Sequence, residues 1–117
     1  MTKTIAVDFD GTVTEHSEYP VIGKIRPDMK LLLSKLRDDG YRLVLNTCRR
    51  DKYYTEALVA LKQENMYDLF DWNTENNEYG QQGKLVASFY LDDRACLVDF
   101  DTVDWNWLYL KIVDYLN

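Results

Sequence analysis

The sequence is poor in cysteine and histidine and has no long hydrophobic run. Its 117 residues include only two cysteines, Cys48 and Cys96, too few for a disulfide framework, so we expect reduced thiols in a cytoplasmic protein. The single histidine, His16, cannot form a metal site by itself. No apolar run approaches the roughly 18 residues that cross a bilayer, and no secretion signal is visible at the N-terminus. The sequence therefore argues against disulfide-rich and membrane-spanning classes.

Positive charge is also scarce. The chain has 14 Lys and Arg residues against 20 Asp and Glu residues, which gives a formal net charge of −6. This balance disfavours nucleic acid as a partner, although a local basic patch would still permit it. Apolar residues make up 46% of the chain and charged residues 29%, as in an ordinary globular domain. We therefore expect residues 1–117 to form one domain around a single core.

Short apolar segments alternate with helical patterns along the chain. Strands are predicted at residues 4–7, 41–45, 69–72 and 88–91, because each is a short apolar run next to polar or turn residues. Helices are predicted from Pro27 to the Gly40 cap, at residues 52–65 and at residues 104–116. This alternation predicts an α/β fold, a three-layer αβα Rossmann-like sandwich with a mostly parallel sheet.

Polar side chains follow three of these predicted strands. Asp8 and Asp10 follow the first strand, Thr47 follows the second, and Asp92 and Asp93 follow the last. Ligands of open parallel sheets bind beyond the carboxyl ends of the strands. If the first and last strands are neighbours, four carboxylates meet there, and their mutual repulsion requires protons or a cation. Oxygen ligands suit Mg²⁺, so the four aspartates are predicted to form a magnesium site.

Other residues near these strand ends could hold a phosphate group. The Thr47 hydroxyl and backbone N–H are suitable donors, and Lys84, which precedes the last strand, could reach back as a cation. Gly11, His16 and Arg49 follow the strand-end carboxylates and threonine closely. They complete the predicted phosphate-binding and substrate-contacting set.

The order of these residues resembles the haloacid dehalogenase (HAD) superfamily of phosphohydrolases. Residues 8–12, Asp-Phe-Asp-Gly-Thr, are similar to its first signature, residues 43–47 to its second, Lys84 to its third and residues 91–93 to its fourth. The resemblance implies a Mg²⁺-dependent phosphatase in which Asp8 attacks phosphorus and forms an aspartyl-phosphate. Asp10 would then act as general acid and base. It also implies that Mg²⁺ binds the Asp8 side chain, the Asp10 carbonyl and Asp92, with Asp93 helping directly or through water.

The chain leaves little room for the cap domain that many HAD members carry. The two intervals where caps occur correspond here to residues 13–26 and 73–83, and both are too short for a domain. The resemblance is therefore to a minimal HAD core without a cap. An open site of this kind implies a bulky phosphorylated substrate, or a lid supplied by another subunit of a homo-oligomer or by the 73–83 loop.

Two alternatives from other classes remain open at this point. A receiver-type phosphoacceptor domain also combines aspartates, a Thr or Ser and a Lys, but there the Lys follows the last strand, whereas Lys84 precedes it. A catalytically silent binding protein that kept the HAD fold is the other alternative. The presence of the complete predicted set in this sequence disfavours it.

Overall fold

Three parallel strands form the centre of the structure, a computed structural model that describes residues 2–72, 87–96 and 98–117. The strands are β1 (Thr4–Val7), β2 (Arg42–Leu45) and β3 (Phe89–Leu91), in the order β2-β1-β3. Thr4 lies opposite Arg42, and Ile5 lies opposite Phe89. The first and last predicted strands are therefore neighbours, and β1 is central in this sheet.

The α-helices of the described residues are α1 (Pro27–Asp38), α2 (Asp51–Gln63) and α3 (Trp105–Leu116). Gly40 follows the end of helix α1 with a φ of +96°. Its N–H donates to the Arg37 carbonyl, and the Tyr41 N–H donates to the Leu36 carbonyl. Helix α3 starts at Asp104, whose carboxylate accepts a hydrogen bond from Trp107 N–H. Within the described ranges, no helix combines the length and apolar character that a membrane crossing requires.

The core lies against both faces of the sheet. Because side chains alternate along a strand, Ile5 and Val7 face the larger hydrophobic cluster, and Ala6 faces a smaller one with Val44. Burial on both faces explains why these strands read as continuous apolar runs rather than alternating ones. Helices α1 and α3 also pack against each other. These features confirm the predicted α/β, Rossmann-like fold with a parallel sheet.

The predicted strand at residues 69–72 is wrong. Residues Tyr67–Leu69 form a 3₁₀ helix. The segment after it contacts β2 through a hydrogen bond from Asp71 N–H to the Leu43 carbonyl (2.8 Å) and through the ion pair of Arg42 with Asp71. The Trp72 ring stacks on Tyr67 with centroids 4.7 Å apart, and its Nε1 donates to the Tyr67 carbonyl (2.7 Å). This contact folds the apolar run back on itself, so the run cannot extend as a strand.

Residues 13–26 form a small arm rather than a domain. Thr14 and Ile25 make an antiparallel bridge, and the Arg26 N–H donates to the Val13 carbonyl (2.9 Å). The arm leaves β1 and returns directly to the start of α1. The other short interval, at residues 73–83, lies outside the described residues.

Helix α1 offers a direct test of this core. Leu33 is fully buried in the larger cluster, whereas Leu31 on the same helix is 65% exposed. We expect Leu33→Ala to lower the free energy of unfolding by about 2–5 kcal/mol, since it removes buried methyl groups and leaves a cavity. Leu31→Ala should change it by less than about 0.5 kcal/mol. Urea midpoints measure both, and equal shifts would contradict this packing.

Candidate functional site

Three carboxyl groups converge at the carboxyl ends of β1 and β3. Asp8 directly follows β1, and its N–H donates to the Leu91 carbonyl (2.9 Å), which continues the pairing of the two strands. Asp92 and Asp93 directly follow β3. One carboxylate oxygen from each of the three aspartates lies within 4.8 Å of the others. The predicted convergence is therefore present for three of the four carboxylates.

The crowding of these groups changes their acidity. Burial, and then the negative charge of Asp92, raise the pKa of Asp8 to about 7, although the Phe9 N–H favours the ionised form. Burial also raises the pKa of Asp93, followed by its hydrogen bond with Asp92 and the charge of Asp92. The ionised carboxylates of the cluster therefore repel one another, and a proton or a bound cation would reduce this repulsion.

Asp10 lies apart from this cluster and is paired with Arg49. Arg49 Nε donates to Asp10 Oδ2 and Nη2 donates to Oδ1, each at 2.7 Å, which makes a bidentate pair. The hydrogen bond to Asp10 raises the pKa of the guanidinium. Of the four carboxylates expected at the metal site, the side chain of Asp10 is therefore bound to the buried guanidinium of Arg49 and does not join the other three.

A cavity of about 370 Å³ opens beside the cluster. It is lined by most of the predicted site residues: Asp8, Asp10, Gly11, His16, Thr47, Asp92 and Asp93. Ser17, Cys48 and Arg94 also line it and had no distinguishing sequence signal. Another cavity, of about 420 Å³ near Arg42 and Asp71, lies by the start of β2, away from the carboxyl cluster. The chemistry therefore favours the first cavity as the site.

Thr47 reaches the site from the end of β2. The Asn46 N–H donates to the Val7 carbonyl (2.8 Å), so the pairing of β1 and β2 continues beyond the strands and places Thr47 on the same sheet edge as Asp8. Thr47 is 8% exposed, and its hydroxyl oxygen accepts a hydrogen bond from Arg49 N–H (3.1 Å). Lys84, the predicted cation of the site, lies outside the described residues.

Gly11 permits a tight turn between the aspartates. Its φ is +80°, and a Cβ there would lie 2.6 Å from His16 Cε1 and 3.0 Å from Asp93 Oδ2. Its N–H donates to Thr14 Oγ1 (3.3 Å), and its carbonyl accepts from Arg26 Nη2 (3.3 Å). Both backbone groups are thus used inside the protein. The geometry gives Gly11 a structural role in the turn. Gly11 also lines the cavity, and its phosphate contact stays a prediction.

His16 covers this turn from the solvent side. Its side chain is 66% exposed, and Nε2 lies 3.7 Å from Asp93 Oδ2. The imidazole is therefore at the mouth of the cavity, where the prediction of a substrate contact remains compatible with its position.

Two residues that hold the site together were missed by sequence reasoning. The Thr12 hydroxyl accepts a hydrogen bond from Asp93 N–H (3.0 Å) and donates one to Asp8 Oδ2 (3.4 Å). It therefore links the ends of β1 and β3. Arg26, only 6% exposed, pairs with Asp101 Oδ1 (2.6 Å) while also holding the Gly11 turn. Thr12 lies within the first signature, but no sequence signal distinguishes Arg26.

The acidity of Asp8 predicts how stability depends on pH without metal. A carboxyl whose pKa rises from 3.8 to about 7 on folding contributes stability that is complete below about pH 4 and is lost as the pH rises toward 7. The loss would be at most about 1.4 kcal/mol per pH unit. We expect Asp8→Asn to flatten this slope in urea titrations across the window. Equal slopes for both proteins would contradict the assignment.

The Gly11 turn can be tested against Gly40. Both glycines have positive φ, but a Cβ at Gly40 meets nothing within 4 Å, whereas one at Gly11 meets His16 and Asp93. Gly40→Ala should therefore cost only the backbone term, about 1–2 kcal/mol. Gly11→Ala should lower the free energy of unfolding further, as measured by urea midpoints. Equal losses would show that the close approach at Gly11 does not constrain the site.

Comparison with known proteins identifies one informative relative. No protein-family model matches the sequence, and no curated protein does. A solved structure, that of a conserved protein coded by a locus from Bacteroides thetaiotaomicron, is similar to this chain, with 31% sequence identity and a TM-score of 0.73. The match covers 97% of this chain and 92% of that one. The chain therefore belongs to the same family as this conserved Bacteroides thetaiotaomicron protein.

Proposed function

We propose that the chain is a Mg²⁺-dependent phosphomonoester hydrolase of the HAD type that acts through Asp8. The observation that carries the proposal is the convergence of Asp8, Asp92 and Asp93, with one oxygen from each within 4.8 Å. The cluster lies where parallel sheets bind ligands, and Thr47 stands on the same edge. The order of these residues matches the HAD signatures they resemble.

The three carboxylates fit a divalent cation. They provide oxygen donors only, the set that Mg²⁺ prefers, and they are close enough to share one ion. Burial, and then the charge of Asp92, raise the pKa of Asp8, and a bound cation would favour its ionised form. Asp8, Asp92 and Asp93 would hold the ion, and the HAD resemblance adds the Asp10 carbonyl. Bound Mg²⁺ would offset negative charge on the carboxylates and the phosphoryl group.

The chemistry assigned to the chain's own residues proceeds in two steps. In the first, an Asp8 oxygen attacks phosphorus, the bond from phosphorus to the leaving oxygen breaks, and Asp10 gives that oxygen a proton. In the second, Asp10 takes a proton from water, whose oxygen attacks the phosphorus of aspartyl-phosphate. The bond between phosphorus and Asp8 then breaks, which releases phosphate and restores the carboxylate.

Other residues would bind the phosphoryl group and the rest of the substrate. The Thr47 hydroxyl lies on the cavity wall as a donor, and Lys84 is proposed as a cation for phosphoryl oxygens. His16 lies at the mouth of the cavity, where it would contact the leaving group of the substrate. The short arm at residues 13–26 is consistent with an open site and a bulky phosphorylated substrate, or with a lid from a second copy. Nucleic acid stays disfavoured by the net charge of −6.

The proposal includes a cytoplasmic location. It is supported by the cysteine content, because Cys48 and Cys96 are too few for a disulfide framework. Cys48 lies on the cavity wall, next to Thr47.

Hydrolysis of an aryl phosphate with and without Mg²⁺ tests the function. We expect turnover only with the ion, and a loss of at least about 10³-fold in kcat for Asp8→Asn, because the nucleophile is removed. Asp114→Asn, on an exposed position of α3, is the matched control and should keep wild-type activity. Mg²⁺ should also raise the melting temperature of the wild type, and less so for Asp92→Asn.

Each other outcome has a definite meaning. Equal activity of wild type and Asp8→Asn would contradict the proposed nucleophile, and activity unaffected by chelation would contradict the metal. Stable phosphorylation of Asp8 without turnover would favour the receiver-type alternative. Absence of both phosphorylation and turnover would favour a binding protein that retains the fold.

A further inference from the structure

We propose that Arg49 is the positioning residue for Asp10, and that it acts through this carboxyl group instead of on the substrate. The inference rests on the proposed function, since it assigns to Arg49 the orientation of the proposed acid and base. It replaces the expectation that Arg49 contacts substrate or phosphate directly.

The geometry of the pair fixes the Asp10 side chain. Two parallel hydrogen bonds of 2.7 Å join the guanidinium to both Asp10 oxygens. A planar, two-pronged donor of this kind sets the plane of the carboxyl group as well as its position. The Asp10 side chain is 39% exposed toward the cavity, so without this partner it could rotate freely. Arg49 therefore determines where the oxygens of Asp10 lie.

Arg49 is itself held away from the cavity. Its side chain is 1% exposed, and the guanidinium lies 5.6 Å from the centre of the Phe9 ring and 5.0 Å from that of Tyr19. Its backbone N–H is fixed by the Thr47 hydroxyl. Among the described residues that line the 370 Å³ cavity, Asp10 is present and Arg49 is not. A substrate in the cavity would thus meet Asp10 first.

One donor of the buried Arg49 side chain has no hydrogen bond in the described part of the chain. This donor is the buried Nη1. An unsatisfied buried donor lowers stability, so the arrangement is not the one that stability alone would favour. The proposed positioning of Asp10 gives a functional reason to keep an arginine here.

Positioning of this kind leaves proton transfer possible. Each Asp10 oxygen uses one lone pair for Arg49 and retains another, which can exchange a proton with a leaving oxygen or with water. Because catalysis depends on alignment, a misplacement of about 1 Å can reduce the rate about 10²-fold. The value of Arg49 would thus appear in rate rather than in substrate affinity.

The test compares a poor leaving group with a good one. An alkyl phosphate needs protonation of its leaving oxygen, whereas 4-nitrophenyl phosphate needs little, and kcat/KM reports the steps up to formation of phospho-Asp8. We expect Arg49→Gln to lower kcat/KM for the alkyl ester at least about 10-fold more than for the aryl ester. In this comparison kcat should fall while KM changes by less than about threefold.

Two further variants locate the effect on Asp10. In an Asp10→Asn background, Arg49→Gln should add less than about a twofold loss, because the two residues act as one unit. Arg49→Lys should recover part of the alkyl ester activity, since an ammonium group can bond one oxygen but cannot reproduce the two-pronged contact.

Arg42→Gln is the matched control for loss of an arginine pair. Arg42 Nε lies 2.8 Å from Asp71 Oδ2 at the start of β2, away from the cavity. This variant should leave the ratio of alkyl to aryl kcat/KM unchanged, even if it lowers the urea midpoint. If Arg49→Gln does not fold, Arg49→Lys carries the same comparison.

The outcomes separate this inference from the proposed function. Equal loss on both esters, or a raised KM with unchanged kcat, in a wild type that shows Mg²⁺-dependent turnover would overturn the role of Arg49 alone. Additive losses in the Asp10→Asn background would overturn it as well. A wild type without turnover on either ester would instead overturn the proposed function, and the assignment of Arg49 with it.

Discussion

Repulsion among three carboxyl groups at one sheet edge sets the requirements that the surrounding residues meet. Asp8, Asp92 and Asp93 are brought together by the pairing of β1 with β3, which fixes the main chain before any side chain is placed. Burial and then the charge of Asp92 raise the pKa of Asp8 in this arrangement. A folded protein tolerates such crowding where it serves binding or catalysis, because stability alone would disperse the charge.

Two arginines beside this cluster, Arg26 and Arg49, each pair with an aspartate outside it. Arg26 holds the carbonyl of the Gly11 turn and pairs with Asp101, and Arg49 holds Asp10. Both are almost completely buried. They offset the charge of Asp101 and Asp10 and hold the loops that carry these residues. Among the described residues, the ion pairs of both arginines thus lie outside the three-carboxyl cluster.

Much of this arrangement could be predicted from the sequence, for reasons that are local. The three observed strands are short apolar runs next to turn residues, and the α1 helix is marked by Pro27 and Gly40. Strand ends in a parallel sheet meet at one edge, so the convergence of carboxylates followed. The Tyr67–Leu69 turn was missed because it depends on the stacking of Tyr67 on Trp72, a contact that apolar periodicity does not encode. The pairing of Asp10 with Arg49 was missed because it joins residues on two different loops, and side-chain rotamers decide it.

The short third strand has a consequence for how mutations and insertions would act. β3 has three residues, and its alignment on β1 decides which side chains follow Leu91 into the site. A slip of one residue would move Leu91 into the place of Asp92 and turn each side chain of the strand to the opposite face. A one-residue insertion in that short strand would therefore shift this alignment and abolish the site, although every charged residue of the chain would still be present. The candidate site thus depends on the register of β3 against β1 as much as on the aspartates themselves.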